Sequence, residues 1–238
     1  MARRYIFDQI GLETSSTILE VGSGTGALLT SIHQDGYAHC KGLDIDLPSL
    51  LFSLSNQEIC ADAHHLPIKS GVFDLAICHF LLLWVRDPQA VICEMQRAVH
   101  PGGWVVALAE PDYTQRADKP DELAEMGKAQ TDALIGQSAD VSIGMRLGKL
   151  FHQAGFSSVD TGVIQPQEPG LFTDEEFELE WAVLRRDLVG SVPENQLQRW
   201  YDLDRLAAIR GDRQHYVPIH FGFGQVPETS KDFKTFEV

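Results

Sequence analysis

Apolar and polar positions along the first two-thirds of this 238-residue chain switch repeatedly between two periods. Short apolar runs predict strands at 17–21, 40–45, 58–61, 75–78 and 104–109. Helical patterns lie between them: one at 3–10 before the first strand, one opening at 26–27, a short one near 47–54 and one from 87–88. The last of these has Asp87 as its N-cap and Pro88 at its first position, with Val91, Met95 and Ala98 at i, i+4 and i+7 on one apolar face. Strands alternating with helices imply a parallel sheet covered on both faces. Pro101-Gly102-Gly103 is a sharp turn into the fifth strand. A helix over 145–154 (Leu147, Leu150, Phe151, Ala154) closes at Gly155 and precedes a sixth strand at 159–164.

Two segments exceed this alternation. Residues 118–137 are helix-like, with Leu123, Met126, Ala133 and Leu134 near helical spacing. Residues 173–210 carry two capping boxes, Thr173 with Glu176 and Ser191 with Glu194. These predict a helical hairpin whose apolar sides are Phe177, Trp181, Leu184, Leu188 and Leu197, Trp200, Leu203, Leu206. A last strand-like run covers 216–223, and 227–238 reads as a polar tail.

The densest chemical signal is Ile18 to Leu29. An apolar strand runs into Gly22, Gly24 and Gly26 and then into a helix. Glycines there permit a sharp turn and close approach of a ligand, and the helix start presents amides to the polar end of a nucleotide-like cofactor. Gly22, Gly24 and Ala27 also satisfy the dinucleotide pattern G-x-G-x-x-G/A, so the glycines alone leave two readings open. Glu20 adds a carboxylate inside an apolar strand, which calls for a partner among the loop amides or on a bound amino group. Asp44 ends the second strand about twenty residues beyond the loop, where an acid accepts from both ribose hydroxyls. Asp46 suits a helix N-cap. Asp62 and Ala63 follow the third strand, where a carboxylate and a backbone amide together read an adenine edge. His79 ends the fourth strand, at the crevice edge of such a sheet, and is either a structural histidine or a direct participant. His64 and His65 read as loop residues, since no third metal ligand accompanies them.

Composition narrows the partners. Hydrophobic content of 44% and charged content of 22% suit one large globular domain. A formal charge of −15 argues against nucleic acid and anionic membrane as partners. No apolar run reaches the roughly 18 residues of a membrane span. The start of the chain lacks an apolar signal core, and Cys40, Cys60, Cys78 and Cys93 form no paired motif. These features predict a cytoplasmic protein with buried free thiols and no metal.

Glu-x-Gly-x-Gly-x-Gly at 20–26, the strand-end Asp44, Asp62-Ala63 before Leu66-Pro67, Phe73-Asp74-Leu75 and Pro101-Gly102-Gly103 form an ordered set. This set resembles the class I S-adenosylmethionine-dependent methyltransferases, in the broad subgroup that includes the ubiquinone/menaquinone-biosynthesis enzymes. The resemblance covers about residues 17–164. It implies an α/β, Rossmann-like sheet of seven mostly parallel strands with helices on both faces, an antiparallel last strand and a helical insertion before it. One domain over 1–238 follows, with its core at about 14–164, the insertion at about 172–212, the last strand at about 215–224 and the tail at 227–238. Carried over, Gly22, Ser23, Gly24 and Gly26 line the methionine end of S-adenosylmethionine. Asp44 holds the ribose, Ile45 lies on the adenine, Asp62 and Ala63 read its edge, and the His79 backbone lies near the sulfonium or amino group.

The acceptor is expected to be a small apolar or aromatic molecule, bound by 113–134 and the hairpin, with Trp181, Trp200, Tyr201 or Phe172 in the pocket. If the acceptor must lose a proton, the candidate bases are His79, Glu110, Asp112, Tyr113, His215 and His220; Glu110 and Asp112 equally suit caps of the next turn. Two rivals remain: a nicotinamide-dependent oxidoreductase, favoured only by the overlapping glycines, and a non-catalytic S-adenosylmethionine-binding regulator or scaffold.

Overall fold

Strand follows helix in the computed structural model, which describes residues 2–53, 58–164 and 173–228. Helix α1 (Ala2–Gln9) leads to β1 (Thr17–Val21), α2 (Ala27–Gln34), β2 (His39–Asp44), α3 (Leu47–Leu51) and β3 (Glu58–Cys60). Then come β4 (Phe73–Cys78), α4 (Pro88–Ala98), β5 (Val99–Pro111), β6 (Ala117–Lys119), α5 (Ala124–Gly136) and α6 (Ile143–Gln153). The chain continues through β7 (Ser157–Ile164), the paired α7 (Asp174–Leu188) and α8 (Glu194–Arg210), β8 (Gln214–Tyr216) and β9 (Ile219–Gln225). Seven strands form one sheet in the order β3-β2-β1-β4-β5-β9-β7. The pairs from β3 to β5 are parallel, and β9 runs antiparallel to both β5 and β7.

The strand period of two sorts the core onto two faces. Ile18, Leu75, Ile77, Val106 and Leu108 pack under Ile6 and Phe7 of α1 and Leu29 and Ile32 of α2. Leu19, Val21, Ala76, Cys78, Val105 and Ala107 pack under α4 and α6. Each fully buried aliphatic side chain contributes about 1.5–3 kcal/mol. The same alternation puts Glu20 on the α2 face, beside Ile18. At the opposite end of the sheet, Asp74 accepts from the Thr17 amide at 2.7 Å and its hydroxyl at 2.6 Å, tying β4 to the start of β1. The predicted turn at 101–103 is instead a bulge inside β5, where the register on β4 jumps from Val99 to Trp104. It needs glycine for space, because a Cβ on Gly103 would lie 2.5 Å from Val99 and 2.7 Å from the Asp74 carbonyl.

Local signals set several element ends as expected. The Asp87 carboxylate accepts from the Ala90 amide, and both arms of the Thr173–Glu176 capping box are made. Five expectations are corrected. The helix-like run 118–137 divides into β6, a short 3-10 turn at Asp121–Leu123 and α5, because Pro120 excludes Lys119 from helical geometry. The strand-like run 216–223 divides at Pro218, which has no amide to give a ladder: Gln214–Tyr216 pairs with Ala117–Lys119, and the last sheet strand starts at Ile219. Ser191 caps nothing, since Pro193 occupies the N-cap position of α8 and the Glu194 carboxylate goes to Arg185 at 2.7 Å. Leu206 is exposed rather than packed, as are Cys60 and Cys93, whereas Cys40 and Cys78 are buried. Leu54 and the tail from 229 onward lie outside the described residues.

Helices α5, α7 and α8 build a separate cluster around Leu123, Met126, Phe177, Trp181, Leu184, Leu188, Leu197 and Trp200. Beneath it runs a buried polar layer. Arg116 meets Asp118 and Gln130, Gln130 donates to Asp187 at 2.7 Å, and Asp204 accepts from Trp181 Nε1 at 2.7 Å and Arg213 Nε at 2.9 Å. No helix among the described residues is long and apolar enough to cross a membrane.

Candidate functional site

The site begins where β1 ends. Gly22, Gly24 and Gly26 all take positive φ (78°, 53° and 76°), which L side chains rarely adopt. A Cβ on Gly22 would also stand 2.8 Å from Leu81, so the loop is closed to larger residues on that side. The Gly22 and Ser23 amides donate to the Leu43 carbonyl at 2.7 and 3.0 Å, seating the loop against β2. Asp44 then braces it: Oδ2 accepts from the Gly24 amide at 2.7 Å and Oδ1 from the Asp46 amide at 2.8 Å.

Glu20 is almost fully buried on the α2 face of the sheet. That helix starts at Gly26, which has no side chain to cap it. Burial pushes the Glu20 carboxyl up to about 8, Glu58 and Asp44 add to the rise, and the nearby Leu29 amide opposes it. Among the described residues Glu20 Oε2 is buried without a hydrogen-bond partner, as are Ser23 Oγ and Glu58 Oε2. Three orphaned oxygens beside one glycine loop fit a ligand that brings donors, above all an ammonium group.

From this loop a groove of about 180 Å³ runs past the ends of β2 and β3. It brings together Gly22, Asp44, Ile45, Asp62 and Ala63, five of the residues singled out in the sequence. Asp62 Oδ1 accepts from the His64 amide at 2.9 Å and from His64 Nδ1 at 2.7 Å, and the carboxyl is held below its usual range by these bonds. The Asp87 amide donates to His64 Nε2 at 3.2 Å, so Nδ1 carries the ring proton. Leu81, Trp84 and Arg86 form the opposite wall. Sequence reasoning missed this wall, although the apolar run that continues past β4 is its signal. A wider hollow of about 640 Å³ lies between α5 and the α7–α8 turn and shares no lining residue with the groove.

The candidate bases are scattered. Glu110 is fully buried and accepts from the amides of Leu81, Leu82 and Leu83, so it faces no acceptor, and the turn that it caps lies upstream rather than next in the chain. Asp112 does cap its own turn, accepting from Thr114 and Gln115. His79 is half-buried, edge-on to Phe80, and burial lowers its pKa. The Tyr113 phenol is raised by burial, with Asp187 adding to the effect. His215 belongs to the polar layer under the helical cluster, 3.2 Å from Asp204, and His220 lies close to α6 at Gly144. Trp181 and Trp200 are core residues of that cluster, and Tyr201 donates to Glu178 at 2.6 Å. None of the three lines the groove. Phe172 lies outside the described residues.

Residues 19–107 match the model of a family described as a methyltransferase domain. A ubiquinone biosynthesis O-methyltransferase from Paraburkholderia xenovorans is 34% identical over 102 residues, covering 39% of this chain and 43% of the relative. The chain thus spans about two-fifths of the length of the first curated relatives that it matches. Among solved structures, a candidate methyltransferase from an antibiotic biosynthesis pathway of Anabaena variabilis superposes with a TM-score of 0.68 at 16% identity, covering 93% of this chain and 95% of that one. A phosphoethanolamine N-methyltransferase from Haemonchus contortus, bound to phosphomonomethylethanolamine and S-adenosylhomocysteine, gives 0.62 at 14% identity over 94% and 52%. At these identities the structural likeness establishes the fold.

Proposed function

We propose that residues 19–107, which match the methyltransferase-domain family model, form a class I S-adenosylmethionine-dependent methyltransferase domain, and that the protein transfers a methyl group to a small apolar or aromatic acceptor. The observation that carries this reading is the set of orphaned oxygens at the glycine loop, beside a groove whose floor holds Asp44 and Asp62. In it, Glu20 Oε2 and Ser23 Oγ take the cofactor's ammonium end, with Gly22, Gly24 and Gly26 giving it room. Asp44 retains acceptor capacity for the ribose hydroxyls, since each of its oxygens accepts one amide and has a further lone pair. Ile45, largely exposed at the groove, covers an adenine face. Asp62 Oδ2 faces the exocyclic amine while Oδ1 is held by His64, and the Ala63 amide reads the ring. His79 contributes its backbone near the reacting end.

The bound sulfonium supplies an electrophilic methyl carbon. What the chain supplies is orientation and a dry wall, the larger part of the barrier in a displacement that needs collinear partners. The carboxylates Glu110 and Asp112 are occupied by backbone and side-chain donors, so the reading assigns no general base to them. The acceptor class is supported by the small-molecule chemistry in the name of the quinone-pathway relative and by the charge of −15, which repels polyphosphates. On this reading residues 1–238 act as one domain, with α7 and α8 as the inserted helical pair, and the four free cysteines suit a cytoplasmic location.

The test is a methylation assay against pooled small metabolites, with mass-spectrometric detection of one added methyl group. Incorporation into an apolar or aromatic small molecule is expected. Incorporation into RNA or protein alone, or cofactor binding with no transfer to any acceptor class, would overturn it.

A further inference from the structure

Glu110 is wholly buried at the end of β5, yet among the described residues it meets no cation. Backbone amides take its oxygens instead. Oε1 accepts from Leu81 and Leu82, each at 3.0 Å, and Oε2 from Leu83 at 3.3 Å. Burying a carboxyl costs free energy, so three donors from one short segment mark a residue whose business is that segment.

The segment leaves β4 at Cys78 and returns to α4 at Pro88 without regular structure between them. It turns sharply: Phe80 takes φ 51°, unusual for an aromatic residue, and the Trp84 amide donates to the Leu81 carbonyl at 2.9 Å. Neighbouring backbone holds it at both sides, with the Phe80 amide on the Ala109 carbonyl at 2.9 Å and the Asp140 amide on the Leu83 carbonyl at 2.7 Å. Its outer surface is functional ground. Leu81 closes on Gly22, and Leu81, Trp84 and Arg86 form the wall of the groove opposite Asp44 and Asp62.

We propose that Glu110 is a positioning residue for cofactor binding: its carboxyl oxygens grip the amides of Leu81, Leu82 and Leu83 and so set the wall against which the nucleotide lies. This rests on the reading of the groove as the cofactor site. An apolar residue of the same length would fill the space and leave three amides unpaired. A glutamine would keep one acceptor oxygen for Leu81 and Leu82 but turn an NH2 group toward the Leu83 amide.

Amide hydrogen exchange and calorimetry with S-adenosylhomocysteine test this on wild type, Glu110→Gln and Glu110→Met. In the ligand-free protein, exchange at Leu81–Leu83 is expected to quicken by about tenfold or more in Glu110→Met, with Glu110→Gln between it and wild type. Affinity for S-adenosylhomocysteine is expected to fall in the same order. A general structural role would raise exchange equally along β4 and β5, which the proposal excludes. If Glu110→Met does not fold, Glu110→Gln carries the test, and the wild type should show slower exchange at these amides when the ligand is added. Unchanged exchange at Leu81–Leu83 in the variants overturns the grip. Quickened exchange with unchanged affinity overturns the link to the cofactor. Absence of binding to wild type would instead count against the groove reading, while the ligand-free exchange still decides whether Glu110 holds the segment.

Discussion

The glycine-loop edge and the α5–α7–α8 cluster both bury charged and polar side chains, and they treat them in opposite ways. In the cluster most of the groups pair with one another, Arg116 with Asp118 and Gln130, Gln130 with Asp187, Asp204 with Trp181 and Arg213, and His215 Nε2 is the exception without a hydrogen bond among the described residues. At the loop, Glu20 Oε2, Ser23 Oγ and Glu58 Oε2 are buried without hydrogen-bond partners among the described residues. An unpaired buried polar group costs about 1–3 kcal/mol. The loop therefore holds a cost that a ligand can relieve, whereas most of the buried polar groups of the cluster already have partners. Substitutions in the cluster should act on stability, and substitutions at the loop on binding.

The largest effect should come from Asp204→Ala, which leaves the buried Trp181 indole without its acceptor and takes one carboxylate partner from Arg213, Glu180 being the other at 2.7 Å. Loss of about 3–5 kcal/mol is expected in urea denaturation, as for other broken buried pairs. The fraction that remains folded should bind S-adenosylhomocysteine as wild type does. Loss of affinity without loss of stability would reverse the roles assigned to the two regions.

Next in size is a pH dependence that belongs to the sheet side. Burial raises Glu20 to about 8 and Glu110 to about 7, from ordinary values near 4.5. The folded state thus keeps protons that the unfolded chain has released, and their contribution is full below about pH 4.5. It is lost as the pH rises through 7 and 8. For Glu110 the difference is on the order of 3 kcal/mol. His100, raised by the Pro101 carbonyl and Asp74, adds to the same decline. Asp74, Glu94 and Asp204 are held below their usual range, so their contribution is lost as the pH falls below about 4. Denaturation curves should place the stability maximum on the acid side of neutrality, and Glu110→Gln should flatten the fall between pH 5 and about 8. A profile that rises over this range would contradict the burial argument.

Asp44→Ala tests the loop side directly. Affinity for S-adenosylhomocysteine should weaken by about 1–3 kcal/mol, the loss expected for charge-assisted hydrogen bonds, while stability changes less. Unchanged affinity would remove Asp44 from the site.

The two regions also differed in how far the sequence revealed them. The loop edge was legible because its signals are local and ordered: Glu20 two residues before Gly22, then Asp44, Asp62 and Ala63 at successive strand ends. All but Glu20 of these line the groove, and Glu20 lies behind it against α2. The far wall was not legible, because Glu110 acts on amides 27 to 29 residues upstream and nothing beside it signals that reach. In the cluster, apolar stripes at Phe177, Trp181, Leu184 and Leu188 identify helix faces but not what they face, so Trp181 and Trp200 stand as candidates both for the packed side and for a pocket, and both are core. The division of 216–223 depends on β6, almost a hundred residues away, and on Pro218. Cap residues follow the same lesson at the smallest scale. Thr173→Ala should cost about 1 kcal/mol in thermal denaturation, and Ser191→Ala close to nothing, since only Thr173 makes its box. Equal costs would mean that α8 is capped in solution by Ser191 after all.

The central claim is that the orphaned oxygens of the glycine loop await the amino-acid end of a sulfonium cofactor. Calorimetry of the wild-type protein with S-adenosylhomocysteine, with 5′-methylthioadenosine, which lacks that end, and with NAD tests it most directly. The account predicts one site for S-adenosylhomocysteine, affinity lower by about tenfold or more for the truncated nucleoside, and no heat with NAD. Equal affinity for the two nucleosides would contradict the role of Glu20 and Ser23, and binding of NAD alone would contradict the cofactor itself.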